Sequence, residues 1–248
     1  RSSRRKRNRY AGKRRPESNL FQICRERKPL GIIFLGGSRA DFSEDTSSFK
    51  VPCVIVTTSA ENWSMEELSS VSIDDEKAGE TIVDYLIEHG HTKIAEIGAN
   101  LELSQTAILR HNGYLNSFKK HGITPDERYY ERARFSYDSA YRAMKKLLEK
   151  DIEITAVYAI SDVMAIGAIR AILDKGLRVP EDISITGFDG STLAEYYNPK
   201  IVSIRQPHKD MAARSVELLF SMIDLHKGSC HEIIPFELTE GESVARID

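Results

Sequence analysis

The sequence predicts an α/β protein with two lobes, each built on a parallel sheet that is covered by helices. Short apolar runs rich in β-branched residues alternate along the chain with segments whose apolar residues recur every three to four positions. The apolar runs lack polar alternation, as expected of strands buried on both faces of a parallel sheet. About seven strands and five helices in a chain of 248 residues fit two such sheets better than one.

The first half of the chain contains three predicted strands and two predicted helices. The short apolar runs LGIIFLGG (30–37), VPCVIVTT (51–58) and KIAEIGA (93–99) predict strands. SIDDEKAGETIVDYLIEHGH (72–91) predicts a helix, because it combines an apolar stripe with aspartates at its start and a glycine near its end. A second helix is predicted around 107–121, where the pattern again ends at a glycine.

The second half continues the same alternation of strands and helices. The predicted strands are short apolar runs, and they lie at 155–160, 183–189, 201–206 and 231–238. The predicted helices have an apolar stripe of helical period, and they lie at 137–151, 161–176 and 207–228.

The loops after the predicted strands indicate where a ligand would bind, because ligands of open parallel sheets lie beyond the carboxyl ends of the strands. These loops are rich in glycine and hydroxyl groups and poor in basic groups, and they lie at 36–42, 57–59, 98–106, 161–162 and 187–189. Such a lining favours a neutral, polyhydroxylated ligand over a nucleotide.

The composition argues against a membrane or secreted protein. No run approaches eighteen apolar residues, and the chain does not open with a signal-peptide pattern. Cys24, Cys53 and Cys230 are scattered and form no C-x-x-C pair. They are expected to be reduced thiols, which predicts a cytoplasmic protein.

The net charge of −2 hides a basic arm on an acidic body. Residues 1–15 hold nine Lys or Arg and no acid, which leaves 26 basic against 37 acidic groups in the remainder. The arm is interpreted as a contact for nucleic acid, as a linker or as a solvated terminus.

Motifs of the common enzyme classes are missing. There is no G-x-x-x-x-G-K-[ST], no G-x-G-x-x-G and no G-x-S-x-G. The pair His89 and His91 has no third ligand at a sensible spacing for a metal. We therefore expect no catalysis, no cofactor and no metal.

Two adjoining segments closely resemble the effector-binding core of the LacI/GalR family of transcriptional repressors. They are TAVYAISDVMAIGAIRAILDKGLRVPEDISITGFDG (155–190) and STLAEYYNPKIVSIRQP (191–207). The helix at 72–91, the stretch RHNGYLNSFKKHGI (110–123) and the final ELTEGESV (237–244) resemble further parts of the same core. The resemblance covers roughly residues 28–245.

The resemblance implies the two-lobed fold of type I periplasmic binding proteins, with three crossovers near 98–101, 203–207 and 227–231. It divides the chain into a basic arm, an N-terminal lobe and a C-terminal lobe, at 1–20, at 21–98 plus 207–226, and at 99–206 plus 227–248. The family core begins with a strand–helix–strand unit upstream of Leu30, which residues 1–20 do not resemble, so the completeness of the first lobe is left open. No helix-turn-helix pattern precedes residue 20, so the DNA-binding headpiece is expected to be absent.

The resemblance also implies a set of effector contacts in the cleft between the lobes. These are Arg110, Asp189, Tyr158, Ser161, Thr106, Ser104, Thr57 and Gln206. From the chemistry of the rings, Tyr158 or Phe188 is expected to supply a stacking face. Arg110 offers a rigid fork of donors and an ionised Asp189 only accepts, so the two can bracket the vicinal hydroxyls of a sugar.

Four of these residues also have a plain structural interpretation. Arg110 can be a surface charge near a helix start, and Asp189 can cap a turn. Tyr158 can belong to the core, and Ser161 can serve only as a helix cap.

Three functional hypotheses follow from these patterns. The first is the sensing core of a LacI/GalR-type regulator, a homodimer that closes on a small effector, expected to be a sugar, and acts on an operator through the missing headpiece. The second is the substrate-binding protein of a sugar importer. The third, an enzyme on this scaffold, has no motif behind it.

Overall fold

The structure is a computed structural model that describes residues 26–37, 51–63, 65–101 and 104–248. It contains two sheets with helices packed against them, so the predicted α/β fold class with two parallel-sheet lobes is confirmed. The basic arm and most of the loop at 36–42 lie outside the described residues.

Within the described residues, the small sheet has four parallel strands in the order β1-β2-β3-β9. Their bounds are Ile32–Leu35 (β1), Cys53–Val56 (β2), Leu68–Ser72 (β3) and His231–Ile233 (β9). Every residue of β2 and β3 is buried, which explains why these strands show no polar alternation.

The large sheet has six strands in the order β10-β8-β7-β6-β4-β5, parallel except for β10. Their bounds are Ile94–Gly98 (β4), Tyr130–Arg132 (β5), Ala156–Ala159 (β6), Ser184–Asp189 (β7), Val202–Arg205 (β8) and Glu237–Thr239 (β10). The order places β7, which ends at Asp189, near the middle of the sheet.

Six α-helices lie wholly within the described residues. Their bounds are Asp75–Glu88 (α1), Gln105–Lys120 (α2), Tyr137–Glu149 (α3), Asp162–Asp174 (α4), Thr192–Glu195 (α5) and His208–Leu225 (α6). Helix α1 packs on α2, α3 packs on α4, and α6 packs on strands of the small sheet.

The main core lies between the large sheet and its helices and continues onto the inner face of the small sheet. A second, smaller cluster covers the other face of the small sheet around Ile55 and Leu68. None of the helices in the described part of the chain has the length and apolar character that crossing a bilayer requires.

Helices α1 and α2 touch backbone to backbone because glycines lie at their crossing. A Cβ added at Gly79 would lie 2.6 Å from the carbonyl oxygen of Arg110, and one added at Gly113 would lie 2.3 Å from that of Glu76. This close approach brings Arg110 of α2 beside the first turn of α1.

The predicted lobe boundaries at residues 98 and 227 do not match the sheets. Strand β4 pairs with β6 in the large sheet, whereas β9 pairs with β3 in the small sheet. The first crossing therefore precedes α1 instead of lying at 98–101, and the third lies between β9 and β10 instead of at 227–231. The physical reason for the first error is that α1 buries its apolar face against α2 and not against the small sheet.

The predicted single strand at 231–238 is wrong, because β9 and β10 belong to different sheets. Pro235 lies between them and has no N–H to continue a ladder. Strands β3 and β5 were not predicted. Strand β3 is polar in composition, and its buried Ser69 and Ser70 are hydrogen-bonded to Cys230 and Ala60 respectively.

Candidate ligand-binding site

Arg110 is the centre of the candidate site, and it is buried at the meeting point of α1, α2 and the large sheet. Its Nε donates to Asp75 Oδ1 at 2.8 Å, and its Nη1 donates to the carbonyl oxygen of Ile160 at 2.6 Å. The same Nη1 lies 3.6 Å from Asp189 Oδ1. The guanidinium carbon lies 3.5 Å from the centroid of the Phe188 ring. Arg110 is therefore a buried, fixed cation and not a surface charge.

Asp75 holds Arg110 in place, and sequence reasoning did not identify it as a site residue. The adjacent Asp74 caps α1 by accepting from the Lys77 N–H, whereas Asp75 points inward and is buried. Burial raises the pKa of Asp75, and Arg110 opposes that effect. The only signal in the sequence was a second acid at the helix start, which by itself predicts a cap.

Asp189 ends β7 in a conformation that is uncommon for a residue other than glycine, with φ of 110°. Gln206 Nε2 donates to its Oδ1 at 2.8 Å, and the Gln206 N–H donates to its carbonyl oxygen at 3.2 Å. About a third of the side chain is exposed, so it can still receive a ligand. Burial raises the pKa of Asp189 to about 6; Arg110 lowers it and Asp162 adds to the increase.

Asp162, in the first turn of α4, holds the turn that follows Asp189. Its carboxylate accepts from Ser203 Oγ and from the Ser191 N–H, each at 2.6 Å. A Cβ added at Gly187 would lie 2.3 Å from Asp162 Oδ1, so glycine at this position leaves room for the carboxylate. Asp162 is buried, and sequence reasoning did not list it among the site residues.

Phe188 and Tyr158 are both fully buried in the large lobe. In this structure neither ring presents a face on which a ligand could stack, in contrast to the sequence-based expectation. Phe188 stacks on Arg110 instead, a cation–π contact that helps to fix the guanidinium. Tyr158 belongs to the core, which was the alternative interpretation.

The hydroxyl residues of the predicted site lie at element ends. Ser104 caps α2 by accepting from the Ala107 N–H at 3.2 Å, and Thr106 is partly exposed one turn before Arg110. Ser161 precedes α4, and its buried hydroxyl makes no capping hydrogen bond. Thr57 follows β2 of the small sheet with φ of 72°, and its N–H donates to Val71.

The structure brings part of the predicted set into direct contact. Arg110, Asp189, Gln206 and Phe188 are linked by the contacts above, whereas Tyr158 and Ser161 lie in the adjoining core. Thr57 lies at the strand end of the other lobe. Parts of the loops at 36–42 and 98–106 lie outside the described residues.

The charge balance of the site favours a neutral ligand. Among the described residues, Arg110 is surrounded by Asp75, Asp162 and Asp189, so one cation faces three carboxylic groups. The described part of the chain contains no group of three His, Cys, Asp or Glu side chains that could hold a metal. A guanidinium and a partly exposed carboxylate together provide donors and an acceptor for hydroxyl groups.

Comparison with protein families supports this architecture. A family model described as a periplasmic binding protein-like domain matches residues 83–244. The HTH-type transcriptional regulator MalR of Clostridium butyricum is 38% identical over 238 residues, which cover 92% of this chain and 71% of that protein. The chain spans 56–65% of the length of three further curated relatives.

Solved structures give the same result. The transcriptional regulator CelR in complex with cellobiose is 29% identical with a TM-score of 0.83, covering 92% of this chain and 69% of that one. A sugar-binding transcriptional regulator of the LacI family from Escherichia coli, in complex with phosphate, is 25% identical with a TM-score of 0.78. That match covers 93% of this chain and 82% of the other.

Proposed function

The chain belongs to the LacI/GalR family of transcriptional regulators, and on that premise we propose that Arg110 and Asp189 bind a small neutral sugar in the cleft between its lobes. One observation carries this proposal: a buried guanidinium lies 3.6 Å from a carboxylate that is a third exposed, at the carboxyl end of a central strand. The contacts to Asp75 and Ile160 use two of the five N–H groups of a guanidinium, and the others can serve a ligand.

The acidic surroundings of Arg110 support a neutral sugar over an anionic metabolite. A phosphate or carboxylate on the ligand would meet Asp189 and Asp162 with one cation to offset them. Vicinal hydroxyls would instead donate to Asp189 and accept from Arg110. The cellobiose held by the similar regulator CelR supports the same ligand class.

The three crossings between the sheets provide a route from ligand binding to regulation. Strands β3, β8 and β9 are each followed by a segment that enters the other lobe. A ligand that contacts both lobes would favour the closed arrangement by its difference in affinity for the two states. In this proposal the chain acts in the cytoplasm as a homodimer, without catalysis or cofactor, and a helix-turn-helix domain carries the response to an operator.

A thermal-shift panel tests the ligand class. Neutral mono- and disaccharides, the corresponding sugar phosphates and uronic acids, and free purines are added to the protein at millimolar concentration. We expect at least one neutral sugar to raise Tm by several degrees and its phosphate to have no effect. Stabilisation by the anionic members alone would contradict the proposal.

The coding sequence upstream of Arg1 distinguishes the importer hypothesis from the regulator hypothesis. The relatives and structures named above are transcriptional regulators, which favours regulation over transport. Codons for a helix-turn-helix upstream of Arg1 would agree with a regulator, whereas codons for a signal peptide would favour the importer.

A further inference from the structure

Three polar residues lie side by side in the middle of the large sheet. Glu96 of β4 is in register with Tyr158 of β6, and Tyr158 is in register with Thr186 of β7. Register partners on neighbouring parallel strands project from the same face of a sheet. All three side chains are essentially without exposed surface.

Three oxygens of this row have no hydrogen-bond partner among the described protein residues. Glu96 Oε2 is 2.7 Å from His111 Nδ1, but Glu96 Oε1 has no partner among the described residues. Tyr158 Oη and Thr186 Oγ1 likewise have no partner within the described part of the chain. Buried polar atoms of native proteins are nearly always hydrogen-bonded to protein or ordered water, so these three oxygens are candidates for hydrogen bonds to ordered water.

The row lies directly behind Arg110. Thr186 is two residues before Phe188, and Tyr158 is two residues before Ile160, so each pair shares a face of its strand. Phe188 and Ile160 both contact Arg110. His111, the partner of Glu96, follows Arg110 on α2, so the row and the arginine are covered by the same helix.

We propose that Glu96, Tyr158 and Thr186 enclose an internal water site behind Arg110, in which ordered water joins the three oxygens. Glu96 Oε1 can accept, whereas the hydroxyls of Tyr158 and Thr186 can each donate and accept. Glu96 and Thr186 lie two strands apart, about 10 Å between their Cα atoms, so joining all three oxygens takes more than one water. The inference goes beyond the proposed function and does not depend on which ligand the cleft binds.

The sign of the stability change in Tyr158→Phe tests the site. If water bridges the phenol to its neighbours, the substitution leaves that water short of a partner and Tm falls by about 2–4 °C. If the phenol is unsatisfied, its removal leaves Tm unchanged or raises it, and the proposal is overturned. Tyr114→Phe sets the scale, because the Tyr114 hydroxyl donates to the Ile94 carbonyl at 3.0 Å.

A double-mutant cycle tests whether the oxygens share one network. Glu96→Gln, Tyr158→Phe and the double variant are compared by urea unfolding. We expect the double variant to differ from the sum of the single variants, as residues in one network do. Additive losses would mean that the two oxygens are satisfied independently and would overturn the proposal.

A crystal structure of the unmodified protein provides the measurement that does not depend on variants folding. We expect electron density for water about 2.7–3.0 Å from both Tyr158 Oη and Thr186 Oγ1. Direct contacts between the side chains, with no water among them, would overturn the proposal.

Discussion

At the scale of single residues, contacts within the protein itself hold the guanidinium of Arg110 in place. Asp75 and the Ile160 carbonyl accept from it, and Phe188 stacks against it. Because these contacts hold the guanidinium in one orientation, ligand binding would cost little side-chain conformational entropy at Arg110.

Ionised Asp189 is expected to weaken the folded protein, a cost that its proposed role in ligand binding would explain. Its pKa in the folded state is about 6, above the ordinary 3.8, so folding favours the protonated form. Its contribution to stability is present below pH 4 and lost as the pH rises through 6. We therefore predict that Asp189→Asn raises Tm at pH 7.5 by about 1–2 °C, a modest gain because the side chain is partly exposed.

Thermal unfolding at pH 7.5 and pH 4.5 checks this prediction, with Asp182→Asn as the matched control. Arg178 lowers the pKa of Asp182 through a side-chain hydrogen bond, so this control should lose stability or show no change at pH 7.5. A fall in Tm for Asp189→Asn at pH 7.5 would contradict the account.

The Glu96–His111 contact predicts a measurable shift at a single histidine. Burial lowers the pKa of His111, but the hydrogen bond and charge of Glu96 outweigh burial and raise it above 6.5. In Glu96→Gln only burial remains, so we predict that the His111 pKa falls below 6.5. Its stabilising contribution in the unmodified protein is present below pH 6.5 and lost as the pH rises through the folded pKa.

NMR titration of the imidazole carbons measures the His111 pKa in the unmodified protein and in Glu96→Gln. The His111→Gln variant assigns the signal. An unchanged midpoint in Glu96→Gln would show that the carboxylate does not govern the histidine.

Prediction from sequence had clear limits at this scale. Arg110, Asp189 and Gln206 were named from the family resemblance, and they do lie together. Asp75 was not named, because Asp74 and Asp75 are equivalent as cap residues until the helix is placed against Arg110. Phe188 was named for the wrong contact, since its burial depends on how α2 crosses the sheet.

At the scale of elements, the contact between α1 and α2 places Arg110 beside Asp75 in the candidate site. Gly113 has no space for a side chain, since a Cβ would lie 2.3 Å from the Glu76 carbonyl oxygen. We predict that Gly113→Ala separates the helices, lowers the free energy of unfolding by about 1–3 kcal/mol and displaces Arg110 from Asp75.

Urea unfolding measures the change in the free energy of unfolding, and ligand affinity reports the displacement of Arg110. Gly228→Ala is the control, because no described atom beyond Gly228 and its two chain neighbours lies within 4 Å of the added Cβ. Equal stability of the two variants would contradict the close approach.

The extents of most helices and strands follow from apolar periodicity, but the assignment of strands to sheets does not. KIAEIGA predicts a strand equally well in either lobe. The assignment of this strand to the large sheet depends on the packing of α1 against α2. Glycines on both helices permit that close packing. Strand β3 was not predicted because its serines look solvent-exposed in the sequence. Their hydroxyl oxygens accept hydrogen bonds from Ala60 and Cys230, which are distant in the chain.

At the scale of the whole molecule, the proposed function requires that the two lobes, joined by three crossings, have an open and a closed state. Arg110 and Asp189 belong to the large lobe and Thr57 to the small one, so a ligand held by all three would stabilise closure. Such a ligand shifts the equilibrium only by its difference in affinity for the two states.

Isothermal titration calorimetry of the best neutral sugar is the most direct test of the account. We predict that the unmodified protein binds it with measurable heat, and that Arg110→Lys and Asp189→Asn each weaken the Kd by about 10- to 100-fold. Arg178→Lys, a change at an exposed arginine paired with Asp182, should leave the Kd unaltered. Binding of equal strength to Arg110→Lys, Asp189→Asn and the unmodified protein would contradict the account.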